Sequence, residues 1–506
     1  MILSYILHGH VPTYDPLHSH PDHILHDKLK GNYDLLNADV DLLTEHFSAS
    51  RFSYSTQALP VNVLLDTLIR PLGETDDSEK RTCIKWEHDA SRAVSHVVVG
   101  NTSAAGGQWV DNPVKASWDI ATLSYAGMLS LPGYSFEDFY HETKGLPLPF
   151  YLRPTRRKVT DYLAKYPTKV GIEDSIFCGY TLSGISRTEA GFHIASHDIR
   201  CKHLVLASGI FTELIPPRPL LRPLLSLPAP QTEAHQYPTL VVGSGFSAAD
   251  IIISAPAKQK LLHIYKWAPS TSPSPLRACH KQAYPEYAAV YRRMKVATLA
   301  SRQSKDKRPR AKRAQSSAFD LGRDWDSDYE GLPNTAIVAV RVENDHAIVT
   351  LQNGDGPPFE RRISSLAYVV GRRGSLSYLD PHLQKEICCE LEYGSMLQGQ
   401  TLREKACENL EMTKDVFIVG SLTGDSLIRF SYGGCAYAAG RIMKRQSNPL
   451  VDHDNDDNSS RCAKCGNRSS THLPVVPIMN GLDGHGYDGN SVANGHMPLD
   501  RRKDGY

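Results

Sequence analysis

Two glycines and an alanine, at positions 243, 245 and 248, have the spacing of a loop that holds a nucleotide pyrophosphate. They stand in TLVVGSGFSAADIII, residues 239–253, where one apolar run meets Gly243-Ser-Gly245 and a second apolar run follows. Gly243 lets the backbone turn sharply, and Gly245 lets it approach a phosphate with no Cβ in the way, while Ala248 permits close helix–strand packing. Because the motif lies between a strand pattern and a helix pattern, it predicts nucleotide binding rather than a plain glycine turn.

The end of the next apolar strand bears on which nucleotide is bound. That strand is LLHIYKW, residues 261–267, and it contains Lys266 but no acid. An NAD-selective site places Asp or Glu at this point to bind the ribose 2′-hydroxyl. A lysine can instead pair with a 2′-phosphate, so the sequence favours NADP over NAD. The alternative is a solvated lysine at a strand end.

A second glycine-rich loop follows the apolar strand of HVVVGNTSAAGGQWV, residues 96–110. It closes with Gly106, Gly107, Gln108 and Trp109. Glycines beside an aromatic side chain suit the close approach of a flat ring, with Trp109 as a wall. A structural glycine turn with a tryptophan in the core fits these residues equally well.

A third loop joins an apolar strand to a helix of small residues in DVFIVGSLTGDSLIRFSYGGCAYAAG, residues 415–440. Its turn is Gly424-Asp425. A carboxylate at such a turn can accept hydrogen bonds from sugar hydroxyls, and the following helix N-terminus favours an anion. Taken alone, Asp425 is more often a turn residue or a helix cap.

The elements that must position these loops follow a pattern that occurs twice in the chain. Residues 176–209 and residues 335–371 each show alternating strands joined by polar turns, then an unbroken apolar strand. Alternation is typical of half-exposed antiparallel strands, whereas an unbroken apolar strand indicates burial on both faces of a parallel sheet. The sequence therefore predicts an α/β fold of two nested Rossmann-like dinucleotide-binding domains, each with an antiparallel β-meander.

Composition excludes several other classes of protein. The 506 residues carry a net charge of +1, so no whole-chain attraction to nucleic acid is expected. No apolar run approaches the length of a membrane span. The ten cysteines are irregularly spaced, which indicates a reducing compartment and predicts an intracellular, cytoplasmic protein. Cys462 and Cys465 form a lone CxxC without a second ligand pair, and no metal site is predicted.

Taken together, the order of these parts resembles the two-dinucleotide-fold flavoproteins, the group of flavin monooxygenases and N-hydroxylating ornithine and lysine monooxygenases. Within that group the sequence is similar to the oxidative-stress-induced growth inhibitor family. The similarity spans residues 1 to about 445, and the segments that carry it are LLDTLIRP (64–71), LVLASGIFTELIPP (204–217), YPEY (284–287) and VGSLTGDSLIRF (419–430).

The resemblance implies two cofactors, FAD and NADPH, and assigns the loops to them. It implies residues 106–109 near the flavin, Gly424 and Asp425 on FAD, and Gly243, Gly245 and Ser247 on NADPH. The expected division is an FAD-binding first part (1–215), an inserted NADPH-binding domain (216–372) with a basic loop at 301–317, an FAD-binding second part (373–446) and a disordered tail (447–506).

The chain departs from that group at its beginning. The group starts with a strand and a GxGxxG loop that cradles the FAD pyrophosphate, whereas MILSYILHGH, residues 1–10, reads as the helix that would follow such a loop. We expect that Met1 is an internal methionine of a longer protein; the alternative is a chain that lacks the loop and binds FAD weakly.

The function implied is that of an NADPH-dependent FAD oxidoreductase, specifically a flavin monooxygenase. In that reaction NADPH reduces the flavin, which takes up O2 as a C4a-hydroperoxide and oxygenates a small-molecule substrate. No catalytic side chain is predicted. A non-catalytic stress- or growth-regulatory protein that keeps the flavoprotein fold is the alternative, and a flavin-free NADPH dehydrogenase is a third reading.

Overall fold

The structure is a computed structural model, and it describes residues 1–31, 34–50, 54–55, 57–73, 82–227, 237–302 and 323–447. The predicted disordered tail (447–506) lies outside the described residues except for its first residue. The basic loop (301–317) lies outside them beyond residue 302.

Among the described residues, nine α-helices have 4 to 10 residues and three have 14 to 18. The α-helices are α1 (Ile2–Leu7), α2 (His23–Leu29), α3 (Val40–Thr44), α4 (Pro60–Ile69), α5 (Phe136–Lys144), α6 (Arg156–Lys169), α7 (Phe246–Ser254), α8 (Pro285–Arg302), α9 (Trp325–Asp328), α10 (Pro381–Ile387), α11 (Arg403–Glu408) and α12 (Tyr432–Ser447).

The strands form several small sheets. They are β1 (His10–Tyr14), β2 (Ile84–His88), β3 (Val98–Gly100), β4 (Ile176–Cys178), β5 (Ile185–Thr188), β6 (Gly191–Ile194), β7 (Ile199–Cys201), β8 (Leu204–Leu206), β9 (Glu213–Leu214), β10 (Thr239–Val242), β11 (Leu261–Tyr265), β12 (Tyr329–Pro333), β13 (Thr335–Val342), β14 (Ala347–Asn353), β15 (Phe359–Ile363), β16 (Ser365–Tyr368), β17 (Arg372–Arg373), β18 (Glu411–Thr413) and β19 (Val416–Ile418).

A parallel sheet in the order β12-β11-β10-β16 lies at the centre of the second half of the molecule. Its strand β11 is buried along its whole length, as an unbroken apolar run predicts. One face packs against α7 and α8 through Ala248, Ile252 and Met294. The other face packs against the antiparallel meander β13-β14-β15. A meander followed by a parallel strand is the pattern predicted for residues 335–371.

The same pattern occurs earlier in the chain. Strands β5, β6 and β7 form an antiparallel meander, and β8 then pairs in parallel with β19. Strands β3 and β4 form a further parallel pair. The repeated pattern is therefore confirmed, and so is the predicted mixed α/β class with parallel sheets and antiparallel meanders.

Two short strands join the halves. Arg372 and Arg373 of β17 pair antiparallel with Leu214 and Glu213 of β9. The chain thus enters the segment that contains the second parallel sheet and leaves it again at one place.

Helix α12 packs unusually close to its neighbours. A Cβ on Gly433 would lie 2.1 Å from the carbonyl oxygen of Val61 in α4, and one on Gly440 would lie 2.1 Å from that of Leu36. A buried ion pair reinforces the contact with α4, since Nε of Arg429 donates to both carboxylate oxygens of Asp66 at 3.0 Å. The small residues predicted in this helix therefore serve backbone packing.

Candidate functional site

The first glycine of the 243–245 loop is required by its surroundings. Gly243 follows β10, and a Cβ on it would lie 2.5 Å from the carbonyl oxygen of Val369 and 3.3 Å from Cβ of Ala248. Ala248 is itself 1% exposed. Strand, loop and helix α7 therefore fit together only with small residues at 243 and 248, as the motif predicts.

The second glycine has space around it. A Cβ on Gly245 would find its nearest neighbour, Cγ of Pro275, at 3.8 Å. Gly245 is the N-cap residue of α7, and no side chain caps this helix. Ser247, in the first turn, is half-buried. The packing does not require a glycine at 245, and the helix N-terminus beside it is uncapped. This combination suits an anion that approaches the backbone.

Lys266 lies beside this loop. Lys266 directly follows β11 and its side chain is exposed. Its backbone N–H donates to Oγ of Ser244 at 3.0 Å. The carbonyl of Ser244 accepts from Oγ of Ser274 at 2.6 Å. The structure thus brings the exposed cation, the hydroxyl-rich loop and the glycine turn to one edge of the parallel sheet.

A buried histidine supports the loop from below, and the sequence reasoning missed it. Nε2 of His263 in β11 hydrogen-bonds the carbonyl oxygen of Gly243 at 2.7 Å, and Nδ1 pairs with the hydroxyl of Tyr329 at 2.8 Å. Burial lowers the pKa of His263 to about 4, so the ring is neutral at physiological pH. Because a neutral ring has one N–H, Nε2 donates to Gly243 and Nδ1 accepts from Tyr329. The signal was a polar residue within the apolar run LLHIY.

The 106–109 loop forms a short 3₁₀ turn over Gly107–Trp109. A Cβ on Gly106 would contact Val110 and Leu163 at 3.0 and 3.3 Å, whereas one on Gly107 would have no neighbour within 4 Å. Trp109 is half-buried and packs on the core around α6, and Thr160 donates to its carbonyl oxygen at 2.8 Å. Gly106 and Trp109 have structural roles, and Gly107 is the position open to a ligand.

Gln108 connects this loop to the parallel sheet of the second half. Its Oε1 accepts from Nη1 of Arg372 at 2.9 Å, and Arg372 directly follows the loop after β16. The guanidinium of Arg372 also lies 5.0 Å from the ring centre of Phe211. One hydrogen bond therefore links the loop predicted to lie near the flavin to the end of the segment predicted to bind NADPH.

The segment YPEY, whose role the sequence does not reveal, is a second link between the halves. Arg153 pairs with Glu286 and lies over the ring of Tyr284, 4.7 Å from its centre. Tyr287 donates a hydrogen bond of 2.8 Å to Oδ1 of Asp250 in α7. The residues of this motif therefore hold α7 and α8 against the region before α6.

Asp250 lies at the centre of this junction with a perturbed pKa. Burial raises that pKa to about 6, although Tyr287 and the nearby cations Arg372 and Arg156 favour the ionised form. Glu286 adds to the rise by repulsion. A carboxyl that holds its proton more tightly in the folded state stabilises the fold below its pKa and ceases to do so as the pH rises.

We therefore expect Asp250→Asn to remove part of the pH dependence of stability. Relative to this variant, the wild-type free energy of unfolding should fall as the pH rises from about 4 to above 6, by up to about 3 kcal/mol. Denaturant unfolding of both proteins across this range measures the difference. Two curves that run parallel would show that Asp250 ionises normally in the fold.

The Gly424-Asp425 turn has a clear structural role. The carboxylate of Asp425 is buried; it accepts from the N–H of Leu59 at 2.8 Å, from Asn62 at 2.7 Å and from Arg403 at 2.7 Å. Through these hydrogen bonds Asp425 links the start of α4 to α11. Among the described residues, they do not reach the 106–109 loop or the 243–245 loop. The hollow beside Asp425 is lined by Ser55, Gln57, Ala58, Gly424, Asp425, Ser426, Leu427 and Phe430.

No group of three or more His, Cys, Asp or Glu side chains in the described residues has the geometry to hold a metal ion. Likewise, none of the described helices has the length and apolar character needed to cross a membrane.

Comparison with known proteins bears on the resemblance read from the sequence. No protein-family model matches the chain. It is 24% identical to oxidative stress-induced growth inhibitor 1 of Mus musculus, over 88% of this chain and 93% of that protein. It is 24% identical to the homolog osgn-1 of Caenorhabditis elegans, over 89% and 93%, and 23% identical to human oxidative stress-induced growth inhibitor 2, over 88% and 91%. The resemblance to the oxidative stress-induced growth inhibitor family is confirmed.

Solved structures that resemble the chain include a reductase, a monooxygenase and a hydroxylase, by their names. A bacillithiol disulfide reductase from Bacillus cereus is 12% identical, with a TM-score of 0.44 over 70% of this chain and 93% of that one. A flavin monooxygenase from Stenotrophomonas maltophilia is 15% identical (TM-score 0.42, 70% and 91%), and an ornithine hydroxylase from Pseudomonas aeruginosa 12% (0.41, 70% and 93%). At these sequence identities and TM-scores, the similarity to the solved structures carries no conclusion about activity.

Proposed function

We propose that the chain is an NADPH- and FAD-dependent oxidoreductase and, within that class, a flavin monooxygenase that oxygenates a small molecule with O2. The observation that carries the proposal is the loop at 243–245. An uncapped helix N-terminus, a glycine with free space at 245 and an exposed Lys266 lie side by side. This set suits a pyrophosphate and, at the lysine, a 2′-phosphate.

The residues for the flavin fit in part. Gly107 leaves space for a flat ring, and the bond between Gln108 and Arg372 holds this loop against the nucleotide-binding edge of the second half. Asp425 has three donors already, so we assign it to the frame around the FAD site. When bound, the flavin supplies hydride acceptance and reaction with O2. The protein would position the flavin, because the contacts of Arg372 with Gln108 and of Glu286 with Arg153 join the two halves.

Nucleotide selectivity gives the first test. The wild-type protein is expected to bind NADPH more tightly than NADH by calorimetry, and Lys266→Glu should reduce affinity for NADPH by about 10-fold or more, the value of one charge-assisted hydrogen bond. Lys260→Glu is the matched control, because this exposed lysine lies just before the other end of β11. Failure of the wild-type protein to bind either nucleotide would overturn the proposal.

A regulatory protein without turnover is the second candidate, and one observation favours it. Asp425, which the family resemblance implies on FAD, has its carboxylate engaged by α4 and Arg403. The relatives are named as growth inhibitors and not as enzymes. Flavin absorbance in the purified protein, and its bleaching by NADPH without oxygen, distinguishes the two. A protein that binds NADPH but neither binds nor reduces flavin belongs to the second class.

A further inference from the structure

The connection between α5 and α6 exposes large apolar side chains. Helix α5 ends at Lys144, and its C-cap residue Gly145 adopts a left-handed conformation. The segment GLPLPFY, residues 145–151, then leads toward α6. Within it Phe150 is 68% exposed, Leu146 58% and Tyr151 47%. We call this segment the apolar loop. Several large apolar side chains exposed within six residues are typical of an interaction site.

The base of the apolar loop is fixed although its tip is exposed. The N–H of Ala126 donates to the carbonyl of Leu152 at 2.8 Å, and the ring of Tyr125 meets that of Tyr151 edge to face. Pro147 and Pro149 restrict the backbone between the two ends. The exposed side chains are therefore presented on a supported loop.

Positive charge surrounds the apolar loop. Residues 141–158 contain five cations (Lys144, Arg153, Arg156, Arg157 and Lys158) and one carboxylate, Glu142. Glu142 pairs with Lys165 and Lys169, each at 2.8 Å. Arg153 and Arg156 turn into the protein, and Arg157 faces Asp119 at 3.4 Å. Lys144 is exposed at the end of α5, and Lys158, in the first turn of α6, is half-buried with its ammonium 5.6 Å from the ring centre of Tyr140.

We propose that the apolar loop docks this protein on an anionic phospholipid surface. Phe150 and Leu146 enter the headgroup region, and Lys144 and Lys158 contact lipid phosphates. An aromatic side chain beside aliphatic ones, with cations on either side, is the combination that favours a membrane–water interface. The loop lies between two helices and exposes its largest apolar side chains, which suits a lipid surface. This docking does not depend on the proposed oxidoreductase activity.

Co-sedimentation with vesicles tests the proposal. The protein should sediment with vesicles of phosphatidylcholine and phosphatidylserine but not with phosphatidylcholine alone, and added salt should weaken the binding. Phe150→Glu and Leu146→Glu should each reduce binding by about 10-fold or more. Lys144→Glu should reduce it less. Tyr393→Glu and Leu17→Glu are matched controls, since these side chains are 58% and 83% exposed elsewhere.

Other outcomes overturn the proposal. Absence of binding to the anionic vesicles does so, and so does binding that Phe150→Glu leaves unchanged. If the wild-type protein forms a dimer that Phe150→Glu abolishes without lipid, the apolar loop is a self-association surface instead. Thermal unfolding of each variant shows whether the protein is folded, and an exposed position should leave the midpoint near that of the wild type.

Discussion

Gly245→Ala is expected to weaken NADPH binding by at least about tenfold while the free energy of unfolding stays within about 0.5 kcal/mol of the wild-type value. The added methyl group has room in the fold, because its nearest neighbour would be 3.8 Å away at Pro275. It would, however, occupy the space through which a pyrophosphate approaches the uncapped N-terminus of α7. Calorimetric titration with NADPH and denaturant unfolding measure the two quantities separately.

The contrasting variant is Gly243→Ala. Its Cβ would lie 2.5 Å from the backbone oxygen of Val369, so this change should lower stability as well as binding. If Gly245→Ala binds NADPH as tightly as the wild type, no pyrophosphate lies at this loop, and the nucleotide assignment fails even though the loop keeps its shape.

Gly433→Ala is expected to destabilise the protein by about 3 kcal/mol, the upper part of the range for overpacked sites. A Cβ there would be 2.1 Å from the oxygen of Val61 and 2.4 Å from its carbonyl carbon, so α12 and α4 would have to separate. That movement would also disturb the buried pair of Asp66 and Arg429. Chemical denaturation followed by circular dichroism gives the free energy of unfolding.

The adjacent glycine provides the control. At Gly434 the nearest atoms to a new Cβ are 3.7 Å away, which is ordinary contact. Gly434→Ala should therefore be neutral or stabilise the protein by about 0.5–1 kcal/mol, the difference in helix propensity. Equal losses at 433 and 434 would contradict the packing of α12 on α4.

Local patterns explain why much of the fold could be predicted from the sequence. The unbroken apolar run of β11 predicts a strand buried on both faces, and such a pattern depends only on neighbours in the chain. Gly243 and Ala248 were predicted for the same reason. The strand, the turn and the helix that need small residues are contiguous.

The contacts between the halves could not be predicted in this way. Arg372 meets Gln108 across 264 positions, and Arg153 meets Glu286 across 133. The chain holds many arginines, acids and amides at large separations, and nothing in the sequence distinguishes these two pairs from the others. Asp425 shows the same limit, because a Gly-Asp turn suits a sugar hydroxyl and a helix cap alike, and only the fold shows that Leu59 and Asn62 reach it.

The pairing of β9 with β17 means that the stretch from 216 to 371 leaves the rest of the chain and rejoins it at neighbouring positions. Its two ends lie on neighbouring strands, and strands paired in this way are about 5 Å apart. A short turn could close the host without moving β8 or β19. An insertion whose ends meet in this way leaves the sheet around it intact.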